Sequence, residues 1–266
     1  LNLQDLQVEI RPRTAGETIS LAARMLQHRP GPVLSSALLM TAGVVGTGLL
    51  LFVGLGLHWF FTICLVLLLA PAFSLPLYAT VGHLVFSRRV TLSTVARITL
   101  RRSAAFLMLF FWQRVLVLLG LVAAIYPGLL MWRNGMFLGP IIALEGSSVA
   151  TSRRRGRQFG AGYGGLVARH ALNGTVLLLY LTVSLATLVG FLAVKVFGIT
   201  FSWLALLPQL DGYYTVLTLV GLGLSTPFLA LVWFFVYLDV RIRKEGWDLE
   251  ISFRTRAALL ERRRAA

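Results

Sequence analysis

Between Arg29 and Arg88 the chain runs for 58 residues without a single Lys, Arg, Asp or Glu. A soluble fold has no place for so long an uncharged stretch, whereas a bilayer demands it: one crossing helix takes roughly 20 mostly apolar residues and tolerates few ions. The gap therefore predicts two membrane spans, residues 33–57 and 59–86, turning at Gly56, Leu57 and His58. The same test finds a second long gap, Arg102 to Glu145, interrupted only by Arg114 and Arg133 and divided by Tyr126, Pro127 and Gly128. It predicts span three at 104–125 and a weaker span four at 129–144. Spans five and six follow at 172–194 and 215–238, bounded by Arg169, Lys195, Asp211 and Asp239. The expected fold is an all-α, polytopic bundle of six transmembrane helices.

Composition agrees: 57% of residues are hydrophobic and 13% charged, against about 45–50% and about 25% in soluble domains. The net charge of +15, from 25 Lys+Arg against 10 Asp+Glu, would suggest a nucleic-acid binder in a soluble chain. Here the arginines follow the span ends, so no nucleic acid is expected. The first 30 residues carry Asp5, Glu9, Arg11, Arg13, Glu17, Arg24 and Arg29 and no apolar run of the signal-peptide kind. Cys64, alone in its residue type, excludes a disulfide framework or a CxxC metal or redox site within the chain.

Basic residues orient the spans, because Lys and Arg near span ends stay in the cytoplasm. The N-terminal segment has four, the second loop five (Arg88, Arg89, Arg97, Arg101, Arg102) and the fourth loop five (Arg153, Arg154, Arg155, Arg157, Arg169). The C-terminal segment has eight, so 22 of 25 fall on one side and none in the three opposite loops. Both termini are expected in the cytoplasm, in a bacterial cytoplasmic membrane. Without the weak fourth span the eight-charge tail would lie outside. The expected organisation is a cytoplasmic segment 1–31, a six-span domain 32–238 and a basic tail 239–266.

Amphipathic basic helices are expected on the cytoplasmic side. Thr14 and Glu17 fit a capping box, followed at helical spacing by Ile19, Ala22, Ala23 and Leu26 and stopped by Pro30, Gly31 and Pro32. A second such segment, TLSTVARITLRRS, precedes span three; a third, SSVATSRRRGRQFGAGYGG, precedes span five and is weakened as a helix by Gly156, Gly160 and Gly162. The resulting basic face, Arg88, Arg89, Arg101, Arg102, Arg153, Arg154, Arg155 and Arg157, suits anionic lipid headgroups at about 1 kcal/mol per residue, or an acidic protein partner. In the closing YLDVRIRKEGWDLE, Tyr237, Asp239, Arg241 and Arg243 continue span six, Gly246 stops it and Asp248 starts the next turn. That segment is expected to form an end cap in which Asp239 pairs with a basic loop; the alternative is a partner-docking surface.

The opening RPRTAGETISLAARMLQHRP, the piece LGPIIALEG followed by TSRRRGRQFG, and YLDVRIRKEGWDLE together resemble the multi-pass family known as the glycerophosphoryl diester phosphodiesterase membrane domain and its uncharacterised relatives. In the name-giving members, the resemblance implies, hydrolysis belongs to a separate soluble domain, so no enzyme activity is expected of these residues. The residues themselves agree. His28, His58, His83 and His170 are scattered, and there is no HExxH, no GxSxG and no carboxylate pair within a span. GAGYGG lacks a following GK[ST], and AGVVGTG reads as close helix packing through Ala42 and Gly46. No catalytic residue, cofactor or metal is expected.

Two functions remain. The first is a non-catalytic integral membrane scaffold or complex subunit, which the lack of any deep carboxylate favours. The alternative is a permease or lipid-handling carrier, built on the breaks at Pro71 and Pro76 and on four polar residues, Gln113, Arg114, Arg133 and Asn134. Arg114 lies twelve residues past Arg102, about 18 Å in, and Arg133 six past Pro127, about 9 Å from the other face of a core about 30 Å thick. Their similar depth predicts a shared polar cleft for an anion, a lipid phosphate above all, or for a partner's acidic side chain; the alternative is that Arg133 snorkels to the outer headgroups.

Overall fold

The computed structural model describes residues 14–86, 91–146, 148–162, 164–196, 198 and 212–245, and every regular element among them is helical. The first helix, α1 (Ala15–His28), starts at the predicted capping box: Glu17 N–H donates to Thr14 Oγ1 at 3.4 Å and Thr14 N–H donates to Glu17 Oε2 at 2.8 Å. It buries Thr18 and Ala22 and packs on α2 and α10. The chain stops at Arg29 and restarts at once as α2 (Pro30–Leu49), since proline in a first helical turn gives up an N–H that has no partner there. A π-helical turn, Leu50–Gly54, prolongs α2. Gly56 then takes φ +63° in the predicted turn, and His58 caps the next helix by accepting from Phe60 N–H.

The second span is α3 (Trp59–Leu69) and α4 (Leu75–Phe86), joined by a 3-10 turn over Ala70–Ser74 where Pro71 and Pro76 interrupt the α-helical ladder. The basic segment before span three is no separate interfacial helix. With neither proline nor glycine before Gly120, it runs straight into the span as the 32-residue α5 (Leu92–Ala123).

The predicted fourth span departs furthest from expectation. It divides into α6 (Ile125–Gly135) and α7 (Leu138–Glu145), neither long enough to cross alone. Pro140 causes the break, because it lacks the N–H that would bond Met136 O; Trp233 Nε1 on α10 donates to that carbonyl instead, at 2.9 Å. The two pieces nevertheless follow α5 all the way back. Gly128 lies against Gly120, Gly135 against Gln113, Gly139 against Phe106, and the Ile142 carbonyl accepts from Arg102 at 3.0 Å.

Despite its glycines, the third basic segment is helical, as α8 (Val149–Gly162). Gly156 and Gly160 let it lie on the end of α6: a Cβ at either would come within 2.9 Å of the Asn134 or Arg133 carbonyl oxygen. Next come α9 (Gly164–Phe191), a π turn (Leu192–Val196) and α10 (Gly212–Glu245). Five stretches are long and apolar enough to cross a membrane: Pro30–Gly54, Trp59–Val85, Ser93–Ala123, Val167–Phe191 and Tyr214–Lys244. Of the last, 72% is buried, against 17–33% for the others, so α10 is the central post around which the rest stand.

Apolar attraction is weak between helices already in lipid, so close packing and hydroxyl bonds join them. Ser36 and Thr80 hydroxyls meet at 2.6 Å between α2 and α4, and Thr182 meets Ser225 at 2.9 Å between α9 and α10. The expected packing pair Ala42 and Gly46 faces outward instead. Its role falls to Gly43, against the Phe73 ring, and Gly48, against Leu219.

Candidate functional site

α5 carries Gln113 and Arg114 side by side, nine to ten residues before its C-terminal end at Ala123. At 1.5 Å per residue that is about 14 Å, near the middle of a core about 30 Å thick. Both residues line a cavity of about 250 Å³ enclosed by α2, the break between α3 and α4, α5, α6, α7, α9 and α10. Its wall is largely aromatic: Tyr78, Phe106, Phe110, Trp132 and Trp233. Gly135, Gly139 and Gly174 also line it, and a Cβ at Gly135 would collide with Gln113 and one at Gly139 with Tyr78, so these glycines let the wall side chains pack closely.

Most polar groups around the cavity are already engaged. Ser74 donates to Pro71 O at 2.6 Å, Thr175 to Ala171 O at 2.9 Å and Thr226 to Leu222 O at 2.5 Å. Gln113 Nε2 donates to Met131 O, bracing α6 against α5. Arg114 differs. Its Cζ sits 4.9 Å from the centre of the Phe110 ring, and its buried Nε has no hydrogen-bond partner among the described residues. Among the described residues it is also the single charged side chain lining the cavity.

Arg133 and Asn134 do not line this cavity. They occupy the last turn of α6, where their carbonyls face Gly160 and Gly156 of α8. The expected four-residue cleft is therefore split: Gln113 and Arg114 face the cavity, while Arg133 and Asn134 support α8. The Nε of Arg133 is also buried without a hydrogen-bond partner among the described residues.

The basic residues divide likewise. Arg102 caps the C-terminus of α7, donating to Ile142 O and Ala143 O beside Gly146, whose φ is +57°. A cation there meets the negative end of the helix dipole. Arg155 pairs with Glu145 at 2.5 Å; the same carboxylate accepts from Tyr237 Oη at 3.0 Å and lies 3.7 Å from Arg241. Glu145 thus ties α7, α8 and α10 together. Arg101, Arg154 and Arg157 are exposed and Arg153 half-buried, whereas Arg88 and Arg89 lie outside the described residues.

In the tail cap, Asp239 is 1% exposed and accepts from Arg243 Nε at 2.8 Å, a partner one turn along its own helix. Gly246 and Asp248 lie outside the described residues. No group of three His, Cys, Asp or Glu side chains suited to a metal is found among the described residues.

The aromatic wall is what sequence reasoning missed. Phe106 and Phe110 read no differently in the sequence from Phe111 and Trp112, which face outward. One signal was present: Phe106, Phe110, Gln113 and Arg114 follow at helical spacing and mark one face of α5.

The fold and its five long apolar helices are those of a membrane protein. No family model matches this chain, and neither a curated protein nor a solved structure matches it.

Proposed function

We propose that the chain is a lipid-handling membrane protein of the carrier class, non-catalytic, which takes an anionic amphiphile into its core. Arg114 carries this reading. A guanidinium near mid-membrane, with a buried donor and no hydrogen-bond partner among the described residues, sits in a space large enough for a ligand. Burying a lone charge in a membrane is costly, and such residues mark binding sites and pathways. Broken helices flanking the cavity, at Ala70–Ser74 and at Met136, add support, since carriers bind at midplane sites made by discontinuous helices.

In this proposal the protein has six crossings, both termini in the cytoplasm of a bacterial cell, and a basic cytoplasmic face against anionic lipid. The crossing in question is α6 with α7. Their contacts follow α5 from Gly120 to Arg102, about 27 Å. Purified protein in phosphatidylcholine nanodiscs, offered a panel of anionic amphiphiles and followed by native mass spectrometry, tests the reading. Retention of at least one that is lost in Arg114→Gln is expected; identical retention by both proteins overturns it.

The scaffold reading rests on a different observation, the exposed Arg101, Arg154 and Arg157. Recovery of a stoichiometric protein partner in mild detergent, lost when these three are replaced by Gln, would support it.

A further inference from the structure

Arg114 provides one positive charge and one planar fork, and among the described lining residues Ser74, Gln113, Thr175 and Thr226 already spend donors on backbone carbonyls. That asymmetry restricts what the cavity can hold. A dianion would leave one negative charge unbalanced in a low-dielectric site, where an unpaired charge is heavily penalised. A zwitterion would bring an ammonium to a wall with no carboxylate among its described lining residues. A phosphodiester also presents two oxygens to one fork, but it adds two ester oxygens and a bulky lipid body, and the hydroxyl protons of Ser74, Thr175 and Thr226 already point at backbone carbonyls. A carboxylate fits, because one guanidinium satisfies both its oxygens through two parallel N–H···O bonds.

Size and access narrow the body attached to that carboxylate. An apolar cavity of about 150 Å³ accepts one benzene, so 250 Å³ takes about ten heavy atoms. This is a head with a short length of chain, far less than a two-chain lipid. The cavity lies between α6 and α9, which make no extended contact with each other: α6 packs on α5 and α8, and α9 on α10 and α8. Trp132 on α6 and Thr175 on α9 line the cavity and are also exposed, so the gap between these helices is a side opening at membrane depth.

Resting on the reading of Arg114 as a binding residue, we infer that the ligand is an acyl-chain monocarboxylate, a fatty acid dissolved in the bilayer. It enters sideways between α6 and α9, seats its carboxylate on Arg114 and leaves the rest of its chain among the lipid tails. Ala171 and Gly174 on α9 set the clearance for the first carbons of the chain.

The test uses the full chain in phosphatidylcholine nanodiscs, with native mass spectrometry and tryptophan quenching by brominated ligand as readouts. The probes are palmitate, dioleoylphosphatidylglycerol and water-soluble benzoate. Expected is one palmitate per protein, quenching attributable to Trp132 and Trp233, and affinity lowered about 10–100-fold in Arg114→Gln, the range for losing hydrogen bonds to a charged group. Ala171→Leu, which narrows the opening without touching Arg114, should weaken palmitate similarly; normal binding by that variant overturns the side entry. If Arg114→Gln does not fold, Arg114→Lys takes its place: it keeps the charge and loses the fork, and unchanged palmitate affinity then overturns the proposal. Arg114-dependent phosphatidylglycerol binding without palmitate binding overturns the carboxylate but leaves the amphiphile reading standing. Arg114-independent binding of every probe removes both. Benzoate binding as tight as that of palmitate refutes delivery from the bilayer.

Discussion

Thr41 on α2 donates its hydroxyl proton to Gly223 O on α10 at 2.9 Å, and Gly223 is the residue four before Pro227. Pro227 has no N–H, so that carbonyl has lost its helical partner in a place without water, where an unmet backbone group costs several kcal/mol. Gly223 also lets the two helices approach, since a Cβ there would crowd Val45 and Thr41. Thr41→Val should therefore destabilise the protein by about 1 kcal/mol, within the range for interhelical hydrogen bonds in membranes. In a Pro227→Ala background the restored N–H serves the carbonyl, and the same substitution should become nearly neutral. Thermal unfolding of the four proteins in detergent gives the coupling directly; additive effects would disprove the link.

Trp233 does the same for Met136 O, the carbonyl left by Pro140. Trp233→Phe keeps most of the ring that stacks on Phe137 at 5.5 Å but removes the indole proton. A loss of about 1–2 kcal/mol is expected, together with faster deuterium exchange in α7. Exchange confined to α10 would argue against the assignment.

Glu145 has a low exposure of 10% and holds Arg155, Tyr237 and Arg241 around one carboxylate. Glu145→Gln should cost about 1.5–3 kcal/mol, as for hydrogen bonds to charged groups, and should loosen α8. Limited proteolysis reads the second effect, and new cleavage after the arginines of α8 is the expected pattern. Resistance equal to that of the parent would mean that Gly156 and Gly160 alone hold α8 in place.

Asp239→Asn removes the charge that Arg243 pairs with inside the bundle. The expected loss of stability is about 1–3 kcal/mol, at the lower end because Arg243 keeps some solvent contact. The measurement is the unfolding temperature in detergent, and unchanged stability would return this acid to the role of a partner contact.

Reporter fusions after His58, Tyr126 and Asp211 should read as external, and fusions after Arg102 and Arg169 as cytoplasmic. Asp211 decides the matter of α6 and α7. A cytoplasmic signal there would make the pair a re-entrant hairpin and leave five crossings.

The long apolar helices were legible because an uncharged run in this chain has few other uses, and their ends agree with the sequence reading to within about six residues, except that the third begins at Ser93, eleven residues before the expected start at 104, because Arg101 and Arg102 do not stop a helix. The capping box at Thr14 was legible because its signal is local. What escaped was whatever depends on which side of a helix faces which neighbour. A lipid-facing side chain is as apolar as a buried one, so Gly46 and Gly48 look alike until Leu219 is found beside only the second. Arg114 and Arg133 stood out by charge alone, but sequence depth could not reveal that α8 would claim the end of α6.

The most enclosed of the five long apolar helices, α10, follows α1 to α9 in chain order. At about 5–20 residues per second, a ribosome takes roughly 10–40 s to make the first 211 residues before α10 begins to emerge. During that time Thr41 and Thr182 stand in the membrane without the α10 groups they later meet. Early helices must wait, loosely gathered or shielded by the insertion machinery, and the bundle closes in one late event when α10 arrives. A message cut before residue 212 would yield an open ring of spans, a substrate for membrane proteolysis.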